Sequence, residues 1–185
     1  MPRATEHILM SAEEYLEFER QNQNKHEFVD GLVFAMAGGS EAHNLISGAV
    51  YIKARLAAAT NTCRVYMEGV KLKVPSGNYY YPDVFIACNP NEFGQSVKTD
   101  ACLVVEVLSK GTADIDRGEK LHSYRRLASL QAYILLSQDK VMAELYRRLA
   151  DGSWRYEVIE EGHLLLPCLD LSIDILELYE GVFES

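Results

Sequence analysis

The chain has 185 residues, of which 48% are hydrophobic and 24% charged, a globular balance that excludes long disorder. Its formal net charge of −9 disfavours general nucleic-acid binding, because affinity for phosphate backbones comes mainly from Lys and Arg. A local basic patch, or cations held by carboxylates, would still allow such binding. The length suits one sizeable core, and we expect a single domain over residues 1–185.

No segment of the sequence predicts export or membrane insertion. The start, MPRATEHILMSAEEY, lacks an apolar stretch of signal-peptide length, and no later segment approaches the roughly 20 apolar residues of a membrane span. We therefore expect a cytoplasmic protein. The cysteines are far apart in the sequence, which predicts reduced core thiols rather than disulfides or zinc ligands: Cys63, Cys88, Cys102 and Cys168. The five histidines form no HxH or HExxH pattern.

The first third of the chain predicts a helix, a hairpin and a longer helix. Ser11 and Glu14 form a capping box for a helix that runs to about residue 22. Asp30-Gly31 lies between two apolar runs, which predicts a β-hairpin. Ser40 is placed to cap the long helix. The apolar residues that repeat at helical spacing along this helix are Leu45, Ala49, Ile52 and Leu56.

From residue 63 the apolar period changes to two, which predicts strands. A change of phase at Glu68-Gly69 suggests a β-bulge, and the turn PSGN leads into an antiparallel strand, YYYPDVFIAC. The segment ACLVVEVLS has the continuous apolar character of a strand buried on both faces. A helix over about 113–128 and an apolar strand at 132–137 then predict a right-handed parallel crossover.

The remaining residues predict a hairpin and a closing unit. Asp151-Gly152 separates two strand-like runs, VMAELYRRL and SWRYEVIEE. The tail LDLSIDILELYEGV predicts a short strand followed by a helix. Together these elements predict an α/β fold with a central mixed sheet flanked by helices, and with extra hairpins towards both ends of the chain.

Two strands contain an acid at a position where the pattern favours an apolar residue. Glu106 interrupts ACLVVEVLS, and an unpaired ionised carboxylate there would cost several kcal/mol. Asp83 follows Pro82 within YYYPDVFIAC. If these strands pair, both carboxylates can point to the same end of the sheet. Two such groups about 4 Å apart repel by about 4 kcal/mol at an effective dielectric of about 20.

A divalent cation between the two acids would convert this repulsion into affinity. Hard oxygen ligands suit Mg²⁺, with Mn²⁺ as a substitute. Such a cation polarises a phosphodiester and lowers the pKa of a bound water, which is the chemistry of hydrolysis. Asp116, Lys120 and Tyr124 are spaced to share one face of the helix that follows Glu106. Lys120 can therefore reach the predicted cleft and stabilise charge on a phosphate.

The order of these motifs resembles the core of the PD-(D/E)xK nucleases, and the chain as a whole resembles the Uma2 family of restriction-type endonucleases. The segments that carry the resemblance are MSAEEYLEFER, HEFVDGLVFAMAGGSEAHNLI, YYYPDVFIAC, LVVEVLS and DRGEKLHSYRRL. The resemblance implies that Asp83, Glu106 and the backbone carbonyl of Val107 hold the metal. It also implies that Glu27 adds a carboxylate and that His43 lies nearby.

One position departs from the superfamily pattern. Leu108 stands where a lysine is expected, two residues after Glu106. In Uma2-like sequences a lysine of the next helix is the substitute, which makes Lys120 the candidate and Lys110 the alternative. Tyr124 is a possible accessory residue on the same helix.

Each candidate also has a structural interpretation. Asp83 can be a turn residue, and Glu106 can pair with a core cation. Lys120 can be a solvated lysine paired with Asp116, and Glu27 and His43 can be ordinary strand and helix residues. Two further sets have a possible nucleic-acid role beside a structural one. These are the run Tyr79–Tyr81 and the pairs Arg125-Arg126 and Arg147-Arg148.

The leading hypothesis is a Mg²⁺-dependent endonuclease that cleaves DNA, with a homodimer expected because cutting two strands needs two sites. One alternative is a nuclease-fold protein that no longer cuts and acts as a binding or assembly module. The net charge and the missing lysine at Leu108 motivate it. Another alternative is a phosphoesterase for small nucleotides, which needs no extended basic groove.

Overall fold

The computed structural model describes residues 9–36 and 38–183, so the predictions about residues 1–8 lie outside it. The helices are α1 (Ala12–Gln21), α2 (Glu41–Ala58), α3 (Ala113–Ile115), α4 (Leu121–Tyr124) and α5 (Ile175–Leu178). The strands of the first half are β1 (His26–Val29), β2 (Leu32–Ala35), β3 (Arg64–Met67), β4 (Lys71–Lys73), β5 (Tyr79–Tyr80), β6 (Val84–Ala87) and β7 (Val97–Lys98). Those of the second half are β8 (Leu103–Leu108), β9 (Ala132–Ser137), β10 (Ala143–Arg148), β11 (Trp154–Ile159), β12 (His163–Leu166) and β13 (Leu171–Asp174).

The predicted N-terminal signals form as expected. Both hydrogen bonds of the capping box between Ser11 and Glu14 are present at the start of α1. Asp30 and Gly31 have φ angles of 50° and 86° and connect β1 and β2, which pair antiparallel. Positive φ at both central residues is what the tight hairpin turn requires. Ser40 accepts a hydrogen bond from the amide of His43 at the start of α2.

The core is built on a six-stranded sheet with the order β11-β10-β9-β8-β6-β3. β8 and β9 are parallel, as the strand–helix–strand pattern predicts, and the other neighbouring pairs are antiparallel. Every residue of β8 and β9 is buried, because apolar layers cover both faces. One layer contains Val105 and residues of α2 and α5, and the other contains Val104 and Tyr124.

A second sheet has five short strands in the order β2-β1-β5-β4-β7. Two of the five passages of the chain between these sheets take only three residues each: the first crossing runs from β3 to β4 and the second from β5 to β6. The bulge predicted at Glu68-Gly69 was wrong, because β3 and β4 belong to different sheets. Glu68 has a φ of 46°, and its amide donates to the carbonyl of Asp83 at the second crossing. The two crossings therefore lie side by side at a seam between the sheets.

The helix predicted over 113–128 is shorter and less regular than expected. α3 continues into a π-helical turn at Asp116–Lys120 and then into α4, which ends at Tyr124. Arg148 donates to the carbonyls of Arg125, Leu127 and Ala128. In a longer regular helix, backbone amides of the next turn would donate to these carbonyls. Here the guanidinium group of Arg148 takes their place.

Helix α2 has two rows of apolar residues, and only one of them faces the core. The residues that face the core are Ile46, Val50, Ala54 and Ala58. Leu45, Ile52 and Leu56 are exposed instead. Both sets repeat at helical spacing, so the apolar period alone could not decide which face the sheet covers.

The prediction of four reduced cysteines was wrong as well. The structure pairs Cys63 with Cys88 and Cys102 with Cys168. Arg64 is the register partner of Ala87 in the antiparallel pair β3–β6, so Cys63 and Cys88 follow as the next facing pair. The sequence separations are 25 and 66 residues, and such contacts arise only when the fold brings distant segments together.

The closing elements agree with the prediction for the tail, which forms β13 and α5. β13 pairs with β12 in a small separate sheet. Within the described residues no helix is long and apolar enough to cross a membrane.

Candidate metal centre

The candidate site lies at the seam, where β6 and β8 begin to separate. Val84 is the register partner of Val105, so Asp83 and Glu106 follow as the next facing pair. Beyond this point the hydrogen bonds between the two segments run from backbone amides to side-chain carboxylates. The amide of Asp83 donates to Glu106 Oε2 at 3.2 Å, and the amide of Val107 donates to Asp83 Oδ2 at 2.6 Å. The two acids therefore meet at one end of the sheet.

Glu106 is a carboxylate in an almost water-free environment, with only 3% of its surface exposed. Its Oε1 accepts hydrogen bonds from the Nζ of Lys120 at 3.1 Å and from the hydroxyl of Tyr124 at 3.0 Å. Burial raises the pKa of Glu106 well above its ordinary value, and Lys120 only partly opposes this. The same burial raises the pKa of Tyr124, so its hydroxyl stays protonated and donates.

Lys120 is the central cation of the site. Its Nζ lies 3.1 Å from Oε1 of Glu27, 3.1 Å from Oε1 of Glu106 and 3.5 Å from Oδ1 of Asp116. Burial by itself would lower the pKa of Lys120, but the acids around it outweigh burial and raise that pKa. Lys120 is therefore charged, and it holds carboxylates from β1, β8 and the π-helical turn around one point.

Glu27 and Asp116 complete the acidic cluster. Oε1 of Glu27 also accepts the amide of Tyr81 at 3.2 Å, which ties β1 to the seam. Burial raises the pKa of Asp116, while Lys120 opposes the shift. The hydroxyl of Tyr133 donates to the carbonyl of Asp116 at 3.0 Å, so the turn is anchored to β9.

His43 approaches the site from the first turn of α2. Its Nε2 lies 3.1 Å from Oδ1 of Asp83, and this hydrogen bond raises the pKa of His43. A Cβ atom at position 39 would lie 2.9 Å from Cδ2 of the imidazole. Glycine at position 39 therefore leaves the space that lets His43 turn towards Asp83.

The charge and chemistry of these donors fit a divalent cation. Four carboxyl groups share the cluster, from Glu27, Asp83, Glu106 and Asp116, against one buried ammonium group, that of Lys120. Burial of several acids around one cation is costly, and a bound divalent cation would offset that cost. Within residues 9–36 and 38–183, no three His, Cys, Asp or Glu side chains are disposed to hold a metal ion together. A pair of carboxylates such as Asp83 and Glu106, with waters, is the kind of donor set that Mg²⁺ commonly takes.

The structure brings most of the predicted residues together and separates a few. Lys110 is exposed in the turn after β8, and Lys120 is the lysine that contacts the acids. Tyr79, Tyr80 and Tyr81 are buried, so they do not offer faces to nucleic-acid bases. Arg148 binds backbone carbonyls and stacks on Trp154, and Arg147 pairs with Glu157.

Asp116 belongs to the acidic cluster, although the sequence pattern did not predict it as a site residue. Its position four residues before Lys120 was visible in the sequence, where an ion pair along an exposed helix face explained it equally well. Its burial could have been expected only from the π-helical turn, which no local pattern in DRGEK predicted.

The fold is shared with a protein of known structure. The structure superimposes on a crystal structure described as a putative nuclease belonging to DUF820 from Anabaena variabilis, with a TM-score of 0.78. The match covers 94% of this chain and 99% of the other, at 14% sequence identity, and it defines a shared fold.

The chain belongs to the Uma2 family, whose description is "Putative restriction endonuclease" and whose family model matches residues 12–176. Two uncharacterized proteins of Synechocystis sp. are similar over most of their length. One, slr1290, is 34% identical, and the match covers 94% of this chain and 93% of that protein. The other, sll1609, is 30% identical, with 79% and 85% covered.

Proposed function

We propose that this protein is a Mg²⁺-dependent endonuclease that hydrolyses DNA phosphodiester bonds. The observation that carries the proposal is the meeting of Asp83 and Glu106 at the point where β6 and β8 part, with Lys120 held against Glu106. The family and the fold support a nuclease.

In this proposal Asp83, Glu106 and the carbonyl of Val107 hold the cation. Bound there, Mg²⁺ would polarise the phosphodiester and lower the pKa of the attacking water. Lys120 would stabilise negative charge on the phosphate, because its charge is fixed by burial among acids. Glu27 keeps Lys120 in place through a contact of 3.1 Å. His43 contacts Oδ1 of Asp83 and Tyr124 donates to Oε1 of Glu106, and both contacts would orient the acids.

Local positive charge beside the seam supports DNA as the substrate despite the net charge of −9. The ammonium groups of Lys25 and Lys71 lie 5.9 Å and 5.0 Å from the ring centroid of Tyr81. Tyr81 is two residues before Asp83, and Lys25 also donates to the carbonyl of Glu68, so positive charge lies close to the seam. Lysines at such a place can contact phosphates on either side of a scissile bond.

The test is cleavage of supercoiled plasmid and of a labelled oligonucleotide with Mg²⁺ or Mn²⁺. We expect Asp83→Asn, Glu106→Gln and Lys120→Met each to lower the rate by about 100-fold or more. Glu144→Gln is the matched control, because Glu144 on β10 is also buried and pairs with Arg117, whose side chain does not contact the acidic cluster. Equal rates in the wild type and all three site variants would refute the proposal. Hydrolysis of small nucleotides but not of DNA would instead identify a phosphoesterase.

A second candidate function is a nuclease-fold binding or assembly module that does not cut. Two observations favour it: protein donors already contact all four oxygens of Asp83 and Glu106, and no three side chains in the described part of the chain could hold a metal. Calorimetry with Mn²⁺ separates the candidates. Binding that is lost in Asp83→Asn and kept in Glu144→Gln supports the nuclease, whereas no heat at millimolar Mn²⁺ supports the binding module.

A further inference from the structure

Helix α2 has a second apolar face that no part of the described chain covers. Leu45, Ile52 and Leu56 are 41%, 59% and 72% exposed. They are spaced i, i+7 and i+11, so they lie along one line of the helix, opposite the residues that pack on the sheet. Single exposed apolar side chains are ordinary, but an aligned row forms a contiguous patch of the kind that marks an interaction surface. We call this row the α2 stripe.

Gly48 lies beside the middle of the α2 stripe. Glycine is among the least favourable residues in a helix interior, and a Cβ atom at this position would meet no atom of the described chain within 4 Å. The fold of one chain therefore gives no reason for glycine here. Together with Ala49 it leaves a shallow stretch between Leu45 and Ile52, into which the backbone of another helix can pack closely.

Two charged residues of α2 are also placed symmetrically about Gly48. Glu41 precedes Gly48 by seven residues, and Arg55 follows it by seven. Both side chains are exposed, and neither takes part in an ion pair within residues 9–36 and 38–183. A two-fold axis through Gly48 would place each Glu41 beside the partner's Arg55. It would also place Leu45 beside the partner's Ile52.

We propose that the α2 stripe is the contact surface for a second copy of this chain, with the two α2 helices antiparallel and crossing near Gly48. A two-fold interface requires a surface that is complementary to itself, and the placement of small, apolar and charged residues about Gly48 meets this requirement. An unrelated partner would need neither the central small residues nor the symmetric placement of Glu41 and Arg55. The inference does not depend on the proposed chemistry, since α2 meets the candidate metal centre only through His43.

Sedimentation of the full chain over a wide concentration range tests the interface. The wild type is expected to shift from 20.8 kDa to twice that mass. Ile52→Lys and Gly48→Leu should each weaken association by about tenfold or more. Gly48→Leu should not lower the melting temperature of the monomer, because space is open around this position. Val158→Lys is the matched control, since Val158 is 50% exposed on β11.

A charge exchange tests the arrangement of the helices. Glu41→Arg and Arg55→Glu should each weaken the dimer, because like charges then face each other at both ends of the crossing. The double variant should recover most of the wild-type affinity. A wild type that stays at 20.8 kDa at every concentration would overturn the proposal and leave the α2 stripe to another partner or to none. A dimer that is indifferent to the Gly48 and charge variants would overturn it equally, by placing the contact elsewhere.

Discussion

Glu106 is a buried acid, and its removal from water costs stability. Glu106 lies in the middle of an apolar strand pair, and its contacts with Lys120 and Tyr124 compensate its charge only in part. Burial therefore raises the pKa of Glu106 well above its ordinary value. A divalent cation bound there, as proposed above, would offset the cost of the buried charge.

The variant Glu106→Gln should make the metal-free protein more stable at high pH. The folded-state pKa of Glu106 is raised above its ordinary value of 4.5, so between these two values the folded state holds more protons than the unfolded state. The free energy of unfolding of the wild type therefore falls as the pH rises through this window. The variant has no titrating group at this position. The difference between its free energy of unfolding and that of the wild type should therefore rise by up to about 1.4 kcal/mol per pH unit across this window.

Urea denaturation at pH 5 and pH 8 in the presence of a chelator measures this difference. Glu144→Gln serves again as the control, since Glu144 has a full ion pair with Arg117 and its removal should not be stabilising. A stability difference between Glu106→Gln and the wild type that is the same at both pH values would contradict the assignment of the shift to Glu106.

At the scale of elements, the π-helical turn decides which side chains reach the site. It places Asp116 and Lys120 in the buried cluster while Arg117 between them turns outwards to Glu144. Single π-helical turns inside α-helices occur frequently at functional sites. Here the turn joins α3 to α4 and follows the strand that carries Glu106. Its geometry therefore sets where the ammonium group of Lys120 lies relative to the carboxylates of Asp116 and Glu106.

Deletion of Gly118 should return this segment to a regular α-helix and disorganise the site. The deletion would draw Lys120 and the residues after it towards Asp116 by about 1.5 Å along the helix axis, so Lys120 and Tyr124 could not both keep their contacts with Glu106. We expect cleavage to fall by about 100-fold or more, because small displacements of catalytic groups have effects of that size.

Gly118→Ala keeps the length of the segment and is the control. A Cβ at this position meets nothing within 4 Å in the described chain, so this variant should retain activity. Circular dichroism establishes that both proteins are folded. A folded deletion variant with wild-type activity would show that the register of the turn is irrelevant to the site.

At the scale of the whole molecule, two sheets and two cross-links hold the site's elements together. The disulfides lie in the layer that packs α2 against the six-stranded sheet. Cys63–Cys88 ties β3 to β6, and Cys102–Cys168 ties the start of β8 to the segment between β12 and β13. The strands that carry Asp83 and Glu106 are therefore each anchored at the end opposite the site.

Reduction of these disulfides should destabilise the protein without preventing the site from forming. Cross-links that close loops of 25 and 66 residues stabilise by about 3–4 kcal/mol each in the chain-entropy model. Urea denaturation with and without a thiol reductant measures the effect. The variant Cys63→Ser/Cys88→Ser should show a smaller response to the reductant than the wild type. Identical midpoints for the oxidised and reduced wild type would show that the cysteines are not cross-linked in solution.

Short-range patterns predicted the elements whose formation depends on neighbouring residues. The capping box at Ser11, the hairpin at Asp30-Gly31, the cap at Ser40 and the buried strand around Glu106 all formed as expected. Each of these depends on hydrogen bonds or steric preferences within a few residues. The unusual position of an acid inside an apolar strand was also visible locally, which is why Asp83 and Glu106 could be selected as candidates.

Only the tertiary structure decided the features that depend on contacts between distant segments. It determined which of the two apolar faces of α2 is buried, because both faces have the same period and the sheet selects one. It likewise determined the partners of the cysteines, the separation of β3 from β4 and the place of Asp116 in the acidic cluster. The physical reason is common to all four. Each depends on how separate elements pack, and the free energy of packing comes from contacts between elements that no single segment of sequence contains.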